Sequence, residues 1–348
     1  MTGSAIPRLG LVCRVSDSSR GDAFRDAAQR EGLAGSAQEP VRSHANFPLV
    51  IDRLCPLERP RLRIASPIVT SDVGTNGGST TETLKRIGPT LIIASALGST
   101  LGIVIAQFLD DLGDGVLAVI LGGDAVLFNN RVEFTGATDM AYAGGFILCL
   151  LVGFFALFTY PTARGHGVAR LTLLWTLLQV LRQAFAQAAV LPFAADSQLA
   201  LAYDTLETPP GLDVVIAAGG GIGLLLMALS AAAAFLVFTP HRRLISSGKK
   251  RFTMVLWIAL VPAVVAAFAA IPFFIPDAGS GVVPTLPLTA VIFLATLAAA
   301  PGTTSVRGPE EHRDTAMPWG LAATLIVILL FEIFVLRGGV SLDPTQWG

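Results

Sequence analysis

Val168–Phe193 reads VARLTLLWTLLQVLRQAFAQAAVLPF, and its reading decides the fold. At about 1.5 Å per residue it is long enough to cross a bilayer as a helix. Yet Thr172, Thr176, Gln179, Gln183 and Gln187 recur through it at steps of three or four. At about 100° per residue these side chains fall within about 80° of arc, a polar stripe on an apolar cylinder. Arg182 lies beside that stripe, near the middle of the segment. A charge at that depth is expensive in lipid, so it is expected to face protein or water.

Working outward, the rest of the chain fits a membrane protein. Hydrophobic residues make up 53% and charged residues 14%, with a mean hydropathy of +0.65. Soluble domains carry about 25% charged residues, so this chain is too apolar for a water-facing surface. The net charge of −1 gives no reason to expect a nucleic-acid partner. Cys13, Cys55 and Cys149 show no metal-ligand spacing and no disulfide framework.

From Gly88 onward the sequence contains seven apolar runs. They are Pro89–Leu109, Ala141–Tyr160, Val168–Phe193, Leu212–Phe238, Phe252–Ile275, Val282–Ala300 and Met317–Leu336. Each supplies about 20 residues, enough for about 30 Å of hydrocarbon. Val116–Phe128 is too short to span and reads as a hairpin or an interfacial segment. The expected fold is therefore all-α: a polytopic transmembrane helix bundle of about seven spans over residues 88–337. Residues 1–87, rich in Arg, Ser, Gly and Pro without periodicity, read as a disordered cytoplasmic tail. Residues 338–348 read as a short external tail.

Basic residues mark the cytoplasmic side of short loops. Arg164 and Arg170, the run His241–Arg251, and Arg307 with Arg313 fall in alternate connections. The intervening connections carry Asp110, Asp111, Asp114, Asp196, Asp204, Glu207 and Asp277. This alternation puts the N-terminus in the cytoplasm and the C-terminus outside, as in a bacterial cytoplasmic membrane.

The motifs are sparse. Gly98 with Gly102, Gly145 with Cys149 and Gly153, and Gly219 with Gly223 are small-residue rows that suit close helix packing. They serve contacts inside one bundle, self-association or docking to partner membrane subunits; lipids are the other expected partner. Pro262 is expected to bend its helix. Asp110-Asp111-Leu-Gly-Asp114 has the DDxxD spacing that some prenyl-transferring enzymes use for magnesium, but Gly113 and the lack of a second cluster favour a solvated external loop. No nucleotide loop, HExxH or GxSxG is present, so neither catalytic residues, metal ligands nor a cofactor are assigned.

The functional expectation is a permease-like protein, or the membrane subunit of a transport assembly, with Thr172, Thr176, Gln179, Gln183 and Gln187 along a solute path. The alternatives are an assembly protein without a substrate, and a lipid-modifying enzyme using the external aspartates. Arg182 and Glu332 lie at comparable depth in their segments, so an intramembrane ion pair is expected between them.

Overall fold

The computed structural model describes residues 87–162, 167–195, 197–206, 208–240, 242–274, 286–303 and 317–343. The N-terminal tail expected over 1–87 lies outside the described residues except at Ile87, as do Arg164, Asp196, Glu207, His241, Asp277, Arg307 and Arg313.

The described chain is mostly helical. In order it forms α1 (Pro89–Ile120), β1 (Asp124–Leu127), β2 (Val132–Thr135), α2 (Ala143–Thr159), α3 (Gly167–Val190) and α4 (Gln198–Asp204). There follow α5 (Leu212–Leu236), α6 (Gly248–Val255), a π-helical turn (Leu256–Leu260), α7 (Val261–Ala269), α8 (Leu286–Ala299), α9 (Trp319–Phe334) and β3 (Val340–Ser341). Among the described residues, five helical stretches are long and apolar enough to cross a membrane: Pro89–Ile120, Asp139–Thr159, Leu212–Leu236, Gly248–Ala269 and Trp319–Gly338. The remaining two apolar runs also form helices, but α3 carries the polar stripe and α8 has only 14 residues.

α3 is the hub, packed against α1, α2 and α5. Its register with each neighbour gives their directions. Trp175 meets Ser95 and Gln183 meets Asp110, so α1 and α3 run parallel. Gly145 lies against Asp110 while Cys149 lies against Ala106, so α2 runs the other way. Gly220 packs on Ala188 and Phe235 on Trp175, so α5 is antiparallel to α3. Thr289 meets Arg182 and Phe293 meets Trp175, so α8 is antiparallel as well.

Two differences from the expected layout stand out. First, α1 continues for 32 residues instead of ending near Leu109. Asp110, Asp111 and Asp114 are therefore buried helical residues, not a solvated external loop. Second, the fold is not purely helical. β1 and β2 form an antiparallel hairpin pairing Asp124 with Thr135, and β3 adds to the other edge of β1. Of the two readings of Val116–Phe128, its first part extends α1 and its last part is the first strand of the hairpin. Gly122 and Gly136, with φ of 87° and 76°, make the turns on either side of it. Residues 340–341 are thus tied into a sheet, while 344–348 lie outside the described residues.

The core has a polar half and an apolar half. Towards the start of α1, Trp175 packs its ring on Phe235 and Phe293 at centroid distances of 4.9 and 5.5 Å. Towards the hairpin end, carboxyls and glutamines replace the aromatic rings.

Candidate functional site: a buried carboxyl and glutamine cluster

α1 carries its own stripe, Ser95, Ser99, Gly102, Ala106 and Asp110, at steps of four, three, four and four. The stripe of α3 has the same steps. Two parallel helices with matched stripes bring them face to face along their length. A Cβ on Gly102 would lie 2.9 Å from the Trp175 carbonyl oxygen, so glycine there lets the two backbones close.

Hydrogen bonds then follow in order up the seam. Gln179 Nε2 donates to Ser99 Oγ at 3.3 Å. Gln183 Nε2 donates to Asp110 Oδ2 at 2.9 Å. Gln187 Nε2 donates to both oxygens of Asp110 at 2.8 Å. Two amides from successive turns of α3 therefore grip one carboxyl of α1. Thr172 Oγ1 donates to the Val168 carbonyl of its own helix at 3.0 Å, and Thr176 is half-buried.

The neighbouring acids are held differently. Asp111 accepts from Gln107 Nε2, one turn earlier, at 3.3 and 3.2 Å. Asp114 Oδ1 accepts from the Gly145 backbone N–H at 2.6 Å. That amide belongs to the first turn of α2, where unpaired N–H groups favour a carboxylate. Gly145 is required at this spot, because a Cβ there would lie 2.3 Å from Asp110 Oδ1.

Arg182 donates through Nη1 to Thr289 Oγ1 of α8 and through Nη2 to Gln183 Oε1 at 3.4 Å. It does not meet Glu332, and the expected ion pair is not formed among the described residues. The geometric reason is that α9 packs on α1, and Arg182 turns to α8. Depth along the bundle was matched, but the side of the bundle was not. Glu332 instead is buried on α9, which packs on α1.

The cluster is acceptor-rich. Relative exposures are 2% for Asp110, 3% for Asp111, 1% for Asp114 and 5% for Glu332. Asp114 Oδ2, Glu332 Oε2, Gln179 Oε1 and Gln187 Oε1 are buried without a hydrogen-bond donor. Among the described residues, no group of three or more His, Cys, Asp or Glu side chains gathers closely enough to hold a metal ion. A small cavity beside the cluster, between α3, α5 and α8, is lined by Gln179, Arg182, Met227, Phe293 and Thr296.

Reading the sequence brought out the α3 glutamines and Arg182 but missed their partners. The matching steps of Ser95, Ser99, Gly102, Ala106 and Asp110 were the signal that pointed to them.

Comparison of the chain with family models, with curated proteins and with solved structures finds no match.

Proposed function

We propose that this integral membrane protein has a transport role for a small solute, as a permease or as the membrane subunit of a transport assembly, with Asp110 and its glutamine partners as the working site. One observation carries the reading. Asp110, Asp111, Asp114 and Glu332 are enclosed in the helix bundle, with Arg182 the one basic side chain hydrogen-bonded into their network among the described residues. Enclosed carboxyls cost several kcal/mol each when ionised and poorly matched. Apolar side chains of similar volume give a bundle equal or greater stability. Ionisable groups on membrane helices that face the bundle interior mark ion and solute pathways.

In this reading the glutamine stripe is one wall of a site closed on one side. The rings of Trp175, Phe235 and Phe293 fill the core beyond Gln179, so transport requires α5 or α8 to move away from α3. All seven apolar runs cross, in alternating directions, with α3 sheltered from lipid by α1, α2 and α5. The basic segment around Arg243–Arg251 then lies in the cytoplasm and the hairpin outside.

A second reading has one observation in its favour. Gln179, Gln183 and Gln187 each donate to a side chain of α1, as interhelical glue does in a protein without a substrate. The lipid-modifying alternative draws no comparable support, since the aspartates face glutamines and the α2 terminus.

The test is uptake by liposomes containing the purified full chain, with a panel of small solutes first screened for thermal stabilisation of the protein. Asp110→Asn and Gln183→Leu should abolish protein-dependent uptake while the variants remain monodisperse. Uptake untouched by Asp110→Asn would remove the cluster from the mechanism. A panel that yields no protein-dependent uptake would favour the assembly reading.

A further inference from the structure

Leu325 and Glu332 are the buried residues of α9, and they are seven residues apart. Two helical turns separate them, so they share a face. On α1, Val104 and Asp111 have the same separation. Leu325 packs in one apolar cluster with Val104, Leu101, Phe273 and Phe274. α1 and α9 therefore lie side by side, and seven residues beyond Val104 and Leu325 each carries a buried carboxyl, Asp111 on α1 and Glu332 on α9.

Glu332 does not turn out to lipid or up to water. Its side chain is nine-tenths buried and its Oε2 has no donor. α9 packs on α1, on the turn Ile271–Phe274 and on the turn Leu336–Gly338. The first brings Asp111, with Asp110 and Asp114 behind it. The second brings no ionisable side chain. The third brings Arg337, which is exposed. Asp111 has donors only from Gln107, and those bonds are long. The packed pair α1 and α9 thus carries two buried carboxyls with few donors among the described residues. An ionised carboxyl only accepts hydrogen bonds, whereas a protonated one also donates. Two carboxyls sharing a site cannot both stay ionised at low cost. One proton supplies the missing donor and removes one of the two charges, and no set of ligands for a metal ion is assembled there among the described residues.

We propose that Asp111 and Glu332 hold one exchangeable proton between α1 and α9, and that this proton is the coupling ion of the transport role. The second half rests on that role; the first does not. Uptake forms one O–H bond on a carboxylate and breaks one in the hydronium or buffer acid that supplies it. Release reverses both, with no change of oxidation state. Loss of the proton leaves two facing carboxylates and drives α9 from α1. α9 is the natural element to move, since most of its surface faces away from the bundle.

The experiment is infrared difference spectroscopy of the full chain in lipid nanodiscs across a pH titration, in water and in deuterium oxide. The wild-type protein should show the carbonyl stretch of a protonated carboxylic acid at neutral pH, shifted by deuterium. Glu332→Gln and Asp111→Asn, both near-isosteric, should each remove that band. A wild-type spectrum without the band overturns the proposal, and that result does not depend on any variant folding. So does a band that persists unchanged in both variants. A band displaced by sodium at constant pH would make the ligand a metal cation and overturn the assignment to a proton. No solute is needed, so this test and the uptake test fail separately: a band without uptake keeps the proton site, and uptake without a band keeps the transport role.

Discussion

Trp175 is fully buried, and its indole N–H donates to Ser95 Oγ at 2.8 Å. Ser95 in turn donates to the Ile258 carbonyl at 2.6 Å. The chain of bonds begins with a missing atom. Pro262 has no N–H, so the carbonyl four residues earlier, that of Ile258, has no helical donor. The backbone adopts a π-helical turn over Leu256–Leu260, immediately before the proline, and Ser95 reaches across from α1 to satisfy the carbonyl. Substitutions at this relay should have effects out of proportion to their size. Trp175→Phe removes one donor and keeps a ring, and should lower stability by about 0.6–1.7 kcal/mol, the range for interhelical hydrogen bonds in membranes. Ser95→Ala deletes a single oxygen but leaves both the indole N–H and the Ile258 carbonyl buried without partners. It should cost more, at about 1–3 kcal/mol for each group left unpaired. Unfolding equilibria in mixed micelles check the order, and a Trp175→Phe loss larger than that of Ser95→Ala would break the argument.

At the scale of elements, the crossing of α1 and α2 is fixed by backbone contact. A Cβ on Gly144 would lie 2.1 Å from the Gly113 carbonyl oxygen, and one on Gly113 would lie 2.4 Å from that of Gly144. This approach brings the Gly145 N–H onto Asp114, so packing and the site share one cause. Gly144→Ala should therefore cost about 1–3 kcal/mol, as overpacking does, and loosen Asp114 from α2. Gly219→Ala is the control. A Cβ there meets nothing, and replacing a mid-helix glycine by alanine should gain about 0.5–1 kcal/mol. Equal gains at both positions, measured by thermal unfolding in detergent, would show that helix propensity and not the crossing is being read.

The same elements show what was legible in the sequence. The row Gly145, Cys149 and Gly153 packs within the bundle, on Asp110, Ala106 and Leu181, as one of the readings of such rows expects. The glutamine stripe was visible because it repeats within one helix. Its destination was not, because Asp110 is 73 and 77 residues away from its amide partners. Asp111, Gly113 and Asp114 are poor helix formers in close succession, and by propensity alone α1 ends there. Distant amides and the start of α2 supply what water would have given, so the helix continues. The depth match of Arg182 and Glu332 carried no information about which neighbours α3 and α9 choose.

At the scale of the molecule, the hairpin gathers one end of the bundle. Asn130 Nδ2 donates to the Phe274 carbonyl at 3.1 Å, and β3 pairs with β1 just after α9. The ends of α1, α7 and α9 are therefore together. α4 packs on the turn Asp139–Tyr142, and Leu191, Leu199 and Ala200 form a cluster with Phe146, Tyr203 and Ile216. The end of α3 and the start of α5 thus belong to the same end as the hairpin. This layout separates seven crossings from five. With α3 and α8 spanning, Thr138 and Pro210 face one side of the membrane and Ser246 the other. With only the five most apolar stretches spanning, the connection after α2 stays on its own side, so Pro210 is opposite Thr138 and Ser246 returns to the side of Thr138. All three positions are exposed. Single cysteines at Thr138, Pro210 and Ser246, in a chain lacking Cys13, Cys55 and Cys149, are to be labelled with an impermeant reagent in sealed vesicles of known orientation. Thr138→Cys and Pro210→Cys should react together, from the outside, and Ser246→Cys only after the membrane is opened. Matched labelling of Thr138→Cys and Ser246→Cys would reduce the bundle to five crossings. α3 would then be a buried helix that only lies alongside the spans, and its glutamines could not form a wall across the membrane.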